Sequence, residues 1–107
     1  MKLTVFLLLR AAPGWLQLGR KERGRVADTA LGGLKSLGVT LRYFDAEAFS
    51  ARCSDVAMIE TDDPKDYYFA MESLRDSPLI AKGYFEVVDI IPAFEDGFRA
   101  YEAAHAV

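Results

Sequence analysis

Residues 39–61, VTLRYFDAEAFSARCSDVAMIET, decide the fold. Val39, Leu41 and Tyr43 alternate with Thr40, Arg42 and Phe44, the two-residue period of a strand. Residues 54–61 read as another strand, and the stretch between the two is too short for a crossover, so they pair as an antiparallel hairpin. Upstream, residues 3–9 form a short aliphatic run typical of a central strand, broken by Pro13-Gly14. From Gly19 the period changes. Val26, Ala27, Ala30, Leu31, Leu34 and Leu37 recur at three- and four-residue steps and line one side of a helix. Gly19 with Glu22 resembles a weakened capping box, and Gly38 supplies a left-handed cap that ends the helix. Gly24, Gly32 and Gly33 inside it each cost about 0.5–1 kcal/mol against Ala, which implies a soft helix or one packed closely by something else, such as a second subunit.

Downstream of the hairpin, Asp63 before Pro64 places an acid at an N-cap and proline at the first helical position. Asp66 adds favourable charge in the first turn. Tyr67, Ala70, Met71 and Leu74 form the apolar stripe, Ser77-Pro78 stops it, and residues 84–91 read as a fourth strand closed by Pro92. Phe94, Phe98 and Tyr101 fall at helical spacing in a short tail whose final AAHAV is expected to fray. The order is βαββαβ. It predicts an α+β, ferredoxin-like domain, an antiparallel four-stranded sheet with two helices on one face. The chain is read as one domain over residues 1–107, with its core in 3–92 and a short helix and tail in 93–107. The other face of the sheet would carry Phe6, Leu8, Phe44, Val56 and Met58, too apolar for open water, so two copies are expected to stack their sheets as a dimeric α+β barrel.

The bulk numbers agree with a folded domain. At 107 residues only roughly 60–65% of the unfolded surface is available for burial, enough for one modest core. The formal charge is −3, and the most basic stretch, RKERGR at 20–25, is interrupted by Glu22 and Gly24. Nucleic acid and anionic membranes are therefore not expected partners, because binding phosphate needs a basic field. RNA binding on an open sheet would also need a basic and aromatic pattern that is lacking here. The opening MKLTVFLLLR imitates a secretion signal, yet its apolar run is too short to span a bilayer and no small-residue cleavage site follows, so it is read as a buried strand. A single cysteine closes no internal disulfide, which points to a reducing compartment, with the cytoplasm as the default.

The stretches TVFLLLRAAPGWLQLGRKER, LRYFDAEAFSARCSDVAMIETDDPKDYYFAMESLRDSP and YFEVVDIIPAFEDGF resemble the darcynin family of small bacterial proteins. The resemblance runs from Leu3 to about Tyr101 and is densest over residues 43–55 and 84–92. It implies a domain of unknown function and carries over no catalytic residue. Leu18-Gly19 stands where the family usually has a Ser N-cap, and Gly32-Gly33 where it has bulkier residues.

Chemistry, if the chain performs any, would reside among the polar residues near the sheet. In DAEAFSARCSD, Asp45, Glu47, Arg52, Cys53 and Asp55 meet at one end of the hairpin. Arg52 is either an anchor for a carboxylate or enol ligand, since its planar fork donates bidentately to planar anions, or half of an exposed ion pair with Asp45 or Asp55. Cys53 beside Arg52 is either a nucleophile with a lowered pKa or a small hydrophobe at a strand. The nucleophilic reading lacks a base, because the one histidine is His105 in the tail. The same scarcity argues against a zinc site or a His-ligated haem, and no cofactor or metal is expected.

Asp89 interrupts the apolar run VVDII, where an unpaired buried carboxylate would be costly, so Arg42 or Tyr43 is expected to satisfy it, with Glu86 nearby. It either fixes dimer geometry or handles a proton in a closed cleft. Tyr67, Tyr68 and Phe69 are read mainly as packing. The candidate ligand-binding residues are thus Arg42, Phe44, Arg52, Asp55, Glu86 and Asp89. Two functions stay open: a homodimer that binds a small ligand or acts in regulation, and a cofactor-independent isomerase- or monooxygenase-like enzyme acting on a small aromatic or enolisable compound. The second requires a buried acid or arginine with a perturbed pKa in the barrel.

Overall fold

The computed structural model describes residues 1–105. Along the chain the elements are β1 (Leu3–Ala11), α1 (Pro13–Leu16), α2 (Arg20–Gly32), β2 (Val39–Asp45), β3 (Asp55–Thr61), α3 (Pro64–Asp76), α4 (Pro78–Ala81), β4 (Phe85–Phe94) and α5 (Gly97–His105). The four strands form one antiparallel sheet in the order β2-β3-β1-β4, so β1 and β3 are central and β2 and β4 are the edges. This is the expected α+β, ferredoxin-like arrangement. Among the described residues, no helix is long and apolar enough to cross a membrane.

Register assigns each side chain to a face. Leu3 pairs with Thr61 and with Phe94, and Thr61 pairs with Val39, so these four stand in one row across the sheet. Because side chains alternate, Val5, Leu7 and Leu9 of β1 share a face with Ala57 and Ile59 of β3. That face is covered by α2, α3 and α4, and Val5, Leu7 and Ile59 are the largest side chains sealed in the core, with Ala30, Leu34, Leu74, Leu79 and Phe85 packed around them.

The helices begin and end for local reasons. Asp63 caps α3 by accepting a hydrogen bond from the Lys65 N–H at 2.9 Å, with Pro64 next to it. Gly19 is the N-cap of α2, in line with its sequence, without a side-chain bond. The helix ends earlier than expected, however. The Gly32-Gly33 pair stops it, turns occupy residues 33–38, and Gly38, at φ 74°, makes the left-handed step into β2. Two one-turn helices follow prolines that the sequence alone presents only as breaks. In α1, Trp15 packs against Tyr84 and Phe85, with ring centroids 5.7 and 4.9 Å apart; in α4, Leu79 enters the core.

The fourth strand runs through Pro92 to Phe94 rather than closing at it. Proline is tolerated there because β4 is an edge strand with a free side. The tail is helical as far as His105, which corrects the expected fraying of AAHAV over 103–105; Ala106 and Val107 lie outside the described residues.

The pairing of β1 with β4 contains one irregularity. Leu9 pairs with Val87 but Leu8 pairs with Asp89, so Val88 is an extra residue, a β-bulge. It turns Asp89 away from the helices.

Candidate functional site

The side of the sheet away from the helices carries Thr4, Phe6, Leu8 and Arg10 from β1, Val56, Met58 and Glu60 from β3, Thr40, Arg42 and Phe44 from β2, and Glu86, Asp89, Ile91 and Ala93 from β4. Its centre is apolar, as the sequence indicated. Phe44 and Ile91 at the two edges remain 43% and 45% exposed, and between them Phe6, Leu8, Val56 and Met58 are only half-buried. A cleft of about 390 Å³ opens on this face, lined by Thr4, Phe6, Arg42, Met58, Glu60, Ala93, Phe94 and Glu95.

The charged groups on this face are mostly paired. Arg52 Nη2 donates to Asp89 Oδ2 at 3.3 Å, while Asp89 Oδ1 accepts from the Ile90 N–H at 2.8 Å. Arg10 Nη1 donates to Glu86 Oε2 at 3.2 Å and its Nη2 to the Arg52 carbonyl at 2.8 Å. The result is a connected rim, Glu86 to Arg10 to Arg52 to Asp89, at one end of the sheet. The partner of Asp89 is therefore Arg52 and not Arg42 or Tyr43, and Arg52 pairs with neither Asp45 nor Asp55. The bulge is the reason, since it carries Asp89 onto the face of Leu8, beside the loop bearing Arg52. In the single chain Asp89 is partly exposed, 43% of its side chain reaching solvent, so it is not the buried carboxylate its apolar neighbours suggested.

Arg42 instead lies over the Phe44 ring, 5.2 Å from its centroid. Among the described residues it has no carboxylate partner, which leaves its guanidinium available in the cleft. Sequence reasoning missed Arg10. Its signal was parity, since Arg10 is an even position like Phe6 and Leu8 and so belongs to the same face.

Asp55 is the candidate that the structure separates from the rest. It points to the helix-covered side, 8% exposed, and accepts a hydrogen bond from Ser54 Oγ at 2.7 Å. The carboxylates of Asp45, Glu47 and Asp55 lie with one oxygen each within 4.8 Å of the others, a spacing at which oxygen ligands hold a hard cation. Arg20 and Arg23 of α2 rim a cleft of about 400 Å³ together with these three acids, Arg23 donating to the Leu16 and Leu18 carbonyls. Burial raises the pKa of Asp55 and the charges of Asp45 and Glu47 raise it further, while the Ser54 hydrogen bond opposes the shift. Burial, and next the charge of Asp55, raise that of Tyr43. The acid with a perturbed pKa therefore faces the helices, not the space above the open face. Cys53 is buried and its N–H donates to Ser50 Oγ at 3.4 Å. His105 stands on α5, stacked on Tyr101 with ring centroids 4.1 Å apart.

With this geometry in view, the chain was compared with known proteins. The family model described as "Darcynin, domain of unknown function" matches residues 1–107. A protein named Darcynin from Chromobacterium violaceum is 65% identical over 65 residues, covering 61% of this chain and 82% of that protein. Darcynin 1 from Acinetobacter baumannii is 41% identical over 90 residues, 82% of this chain and all of that one. Among solved structures, a haem-binding protein from Thermus thermophilus matches with a TM-score of 0.75 at 15% identity, covering 94% of this chain and 44% of that one. Chlorite dismutase from Candidatus Nitrospira defluvii, in complex with imidazole, matches with a TM-score of 0.74 at 10% identity, covering 94% and 43%. The chain thus spans somewhat less than half of these structural neighbours, and at such identities the likeness is one of fold.

Whether a haem fits here is decided by the residues present. In the closed core pocket under the helices, lined by Leu7, Leu9, Leu74, Leu79 and Phe85, the free space is about 20 Å³, room for about one water, where a small-molecule pocket needs ~300 Å³ or more. The chain's one imidazole is on α5, its Nδ1 2.9 Å from the Tyr101 carbonyl oxygen and its ring exposed. A histidine-ligated haem does not fit this core pocket, and His105 on α5 does not line it.

Proposed function

The chain belongs to the darcynin family, and we propose that it works as a homodimer that stacks its open sheet faces and binds a small organic ligand in the cleft between them. The observation that carries this reading is the composition of the open face. Phe6, Leu8, Phe44, Val56, Met58 and Ile91 form a contiguous apolar surface, a feature that marks an interface or ligand site on a soluble protein. Its strand charges and Arg52 balance, Arg10, Arg42 and Arg52 against Glu60, Glu86 and Asp89, with Glu95 at the end of the cleft adding one acid, whereas the whole chain carries −3. A surface that meets its own copy is spared much like-charge repulsion when its charges are close to balanced.

Within the stacked pair, Arg42, without a carboxylate partner among the described residues, is the cation and Phe44 the aromatic platform beside it, a combination suited to a flat compound bearing a carboxylate or enolate. The paired Arg52, Asp89, Arg10 and Glu86 close one end of the cleft. Asp55 takes no part, because the sheet stands between it and this space.

Sedimentation velocity tests the assembly. The native protein is expected to run as a dimer, at twice its 11.9 kDa, and Met58→Asp, which puts a charge at the centre of the stacked faces, as a folded monomer. A native protein that stays monomeric at high concentration overturns the reading. For the ligand, native mass spectrometry of protein purified from its own host should show a discrete extra mass on the dimer, lost in Arg42→Ala. An added mass that Arg42→Ala retains would place the ligand elsewhere.

A further inference from the structure

The chain is more drawn out than its length requires. Its radius of gyration is 15.8 Å, against about 13 Å for a compact domain of this size, and its longest dimension is 56 Å. Part of that length is α5, none of whose nine residues is buried. Phe94, Phe98 and Tyr101, at the turn of β4 into α5 and along the helix, are 53%, 63% and 62% exposed. A nine-residue helix is too short to be stable alone in water, so an apolar stripe of this kind needs a surface to rest on.

A matching surface lies at the opposite edge of the sheet. Between the end of α2 and β2 runs a groove of about 580 Å³, lined by Leu31, Gly32, Leu34, Val39 and Leu41 and flanked by Asp28 and Lys35. Gly32 explains the opening. A Cβ there would meet nothing within 4 Å, and its φ lies outside the left-handed region, so neither the packing nor the backbone of the single chain demands glycine. Groove and helix carry one charge of each sign, Asp28 and Lys35 on the groove, Arg99 and Glu102 on α5.

Its own α5 does not line the groove; it follows β4, three strand spacings or roughly 14 Å away across the sheet. A second copy can reach it. Phe94 and Val39 stand in the same row across the sheet, so a twofold axis running along the strands sets the Phe94 end of one copy over the Val39 end of the other. Stacked sheets lie about 10 Å apart; the two residues between β4 and α5 together with the first turn of the helix, at about 1.5 Å per residue, carry Tyr101 roughly that far from Phe94. We infer that α5 is an exchanged arm, laying Phe98 and Tyr101 into the groove beside Gly32 of the other copy, reciprocally in both directions. This rests on the homodimer proposed above and adds to it a second, separable contact.

Two variants test it. In the double variant Gly32→Cys/Tyr101→Cys, mild oxidation of the dimer is expected to yield a covalent dimer, while the native Cys53 is buried. Gly32→Leu builds into the groove from a Cβ position that meets nothing within 4 Å in its own chain, so it should fold normally and raise the dimer dissociation constant at least tenfold. If the native protein is a dimer but the double variant forms no cross-link and Gly32→Leu dissociates like the native protein, the exchanged arm is overturned and the stacked faces stand. A monomeric native protein overturns both.

Discussion

Asp55 shows how much one residue's face determines. Its carboxyl is held up by burial and by the neighbouring Asp45 and Glu47, so the folded state keeps its proton to higher pH than the unfolded chain does. The sign follows from linkage: where the folded state binds more protons, stability falls as pH rises. The loss begins near the unfolded value of 3.8 and is complete above the raised folded one. Asp55→Asn, which keeps an acceptor for Ser54 Oγ, should therefore match the native protein's stability near pH 3 and exceed it at pH 7, read from urea unfolding at the two pH values. Equal differences at both would mean that Asp55 ionises as freely folded as unfolded. The same residue marks the limit of residue-by-residue reading. Arg42 and Phe44 were legible as one set because they share a parity, but nearness along the hairpin groups Asp55 with them, although its alternation with Ala57 and Ile59 assigns it to the core side.

At the scale of elements, the capping of α3 is the most local feature and the most transferable from sequence. Removing the Asp63 acceptor leaves the Lys65 N–H unsatisfied, and Asp63→Ala should cost about 1 kcal/mol, seen as a lower urea midpoint with an unchanged slope. The βαββαβ order was legible for the same kind of reason, since two-residue and three-to-four-residue periods are written along the chain. What was not legible depended on neighbours. Whether proline ends a strand depends on whether that strand is an edge, and Pro92 sits inside β4 because β4 is one. The helical turns after Pro13 and Pro78 are held by Trp15 and Leu79 packing into the body, contacts that a window of local sequence does not contain. The early stop of α2 at Gly32-Gly33 was written in the chain as two glycines, but the apolar period running on through Leu34 and Leu37 masked it.

For the molecule as a whole, the described core is modest and much apolar surface lies outside it, so stability and assembly should be coupled. If the folded chain gains stability from a second copy, its Tm rises with protein concentration; calorimetry over a hundredfold range is expected to show an increase of several degrees, and a constant Tm would mean that each chain folds by itself. The bulge at Val88 has a wider meaning on this scale. A strand is read in a frame of two, inside and outside, and one uncounted residue resets that frame for everything beyond it, as an inserted base shifts codons. Were Val88 counted, paired with Leu8 in a regular ladder, Asp89 would fall opposite Leu7 in the core, while Ile90, Pro92 and Phe94 would change places with Ile91 and Ala93. The length of β4 is therefore unequally tolerant along its course. Loss of Val88 itself leaves every later residue on its present side, whereas loss of one residue beyond it, such as Ile90, turns the rest of the edge inside out.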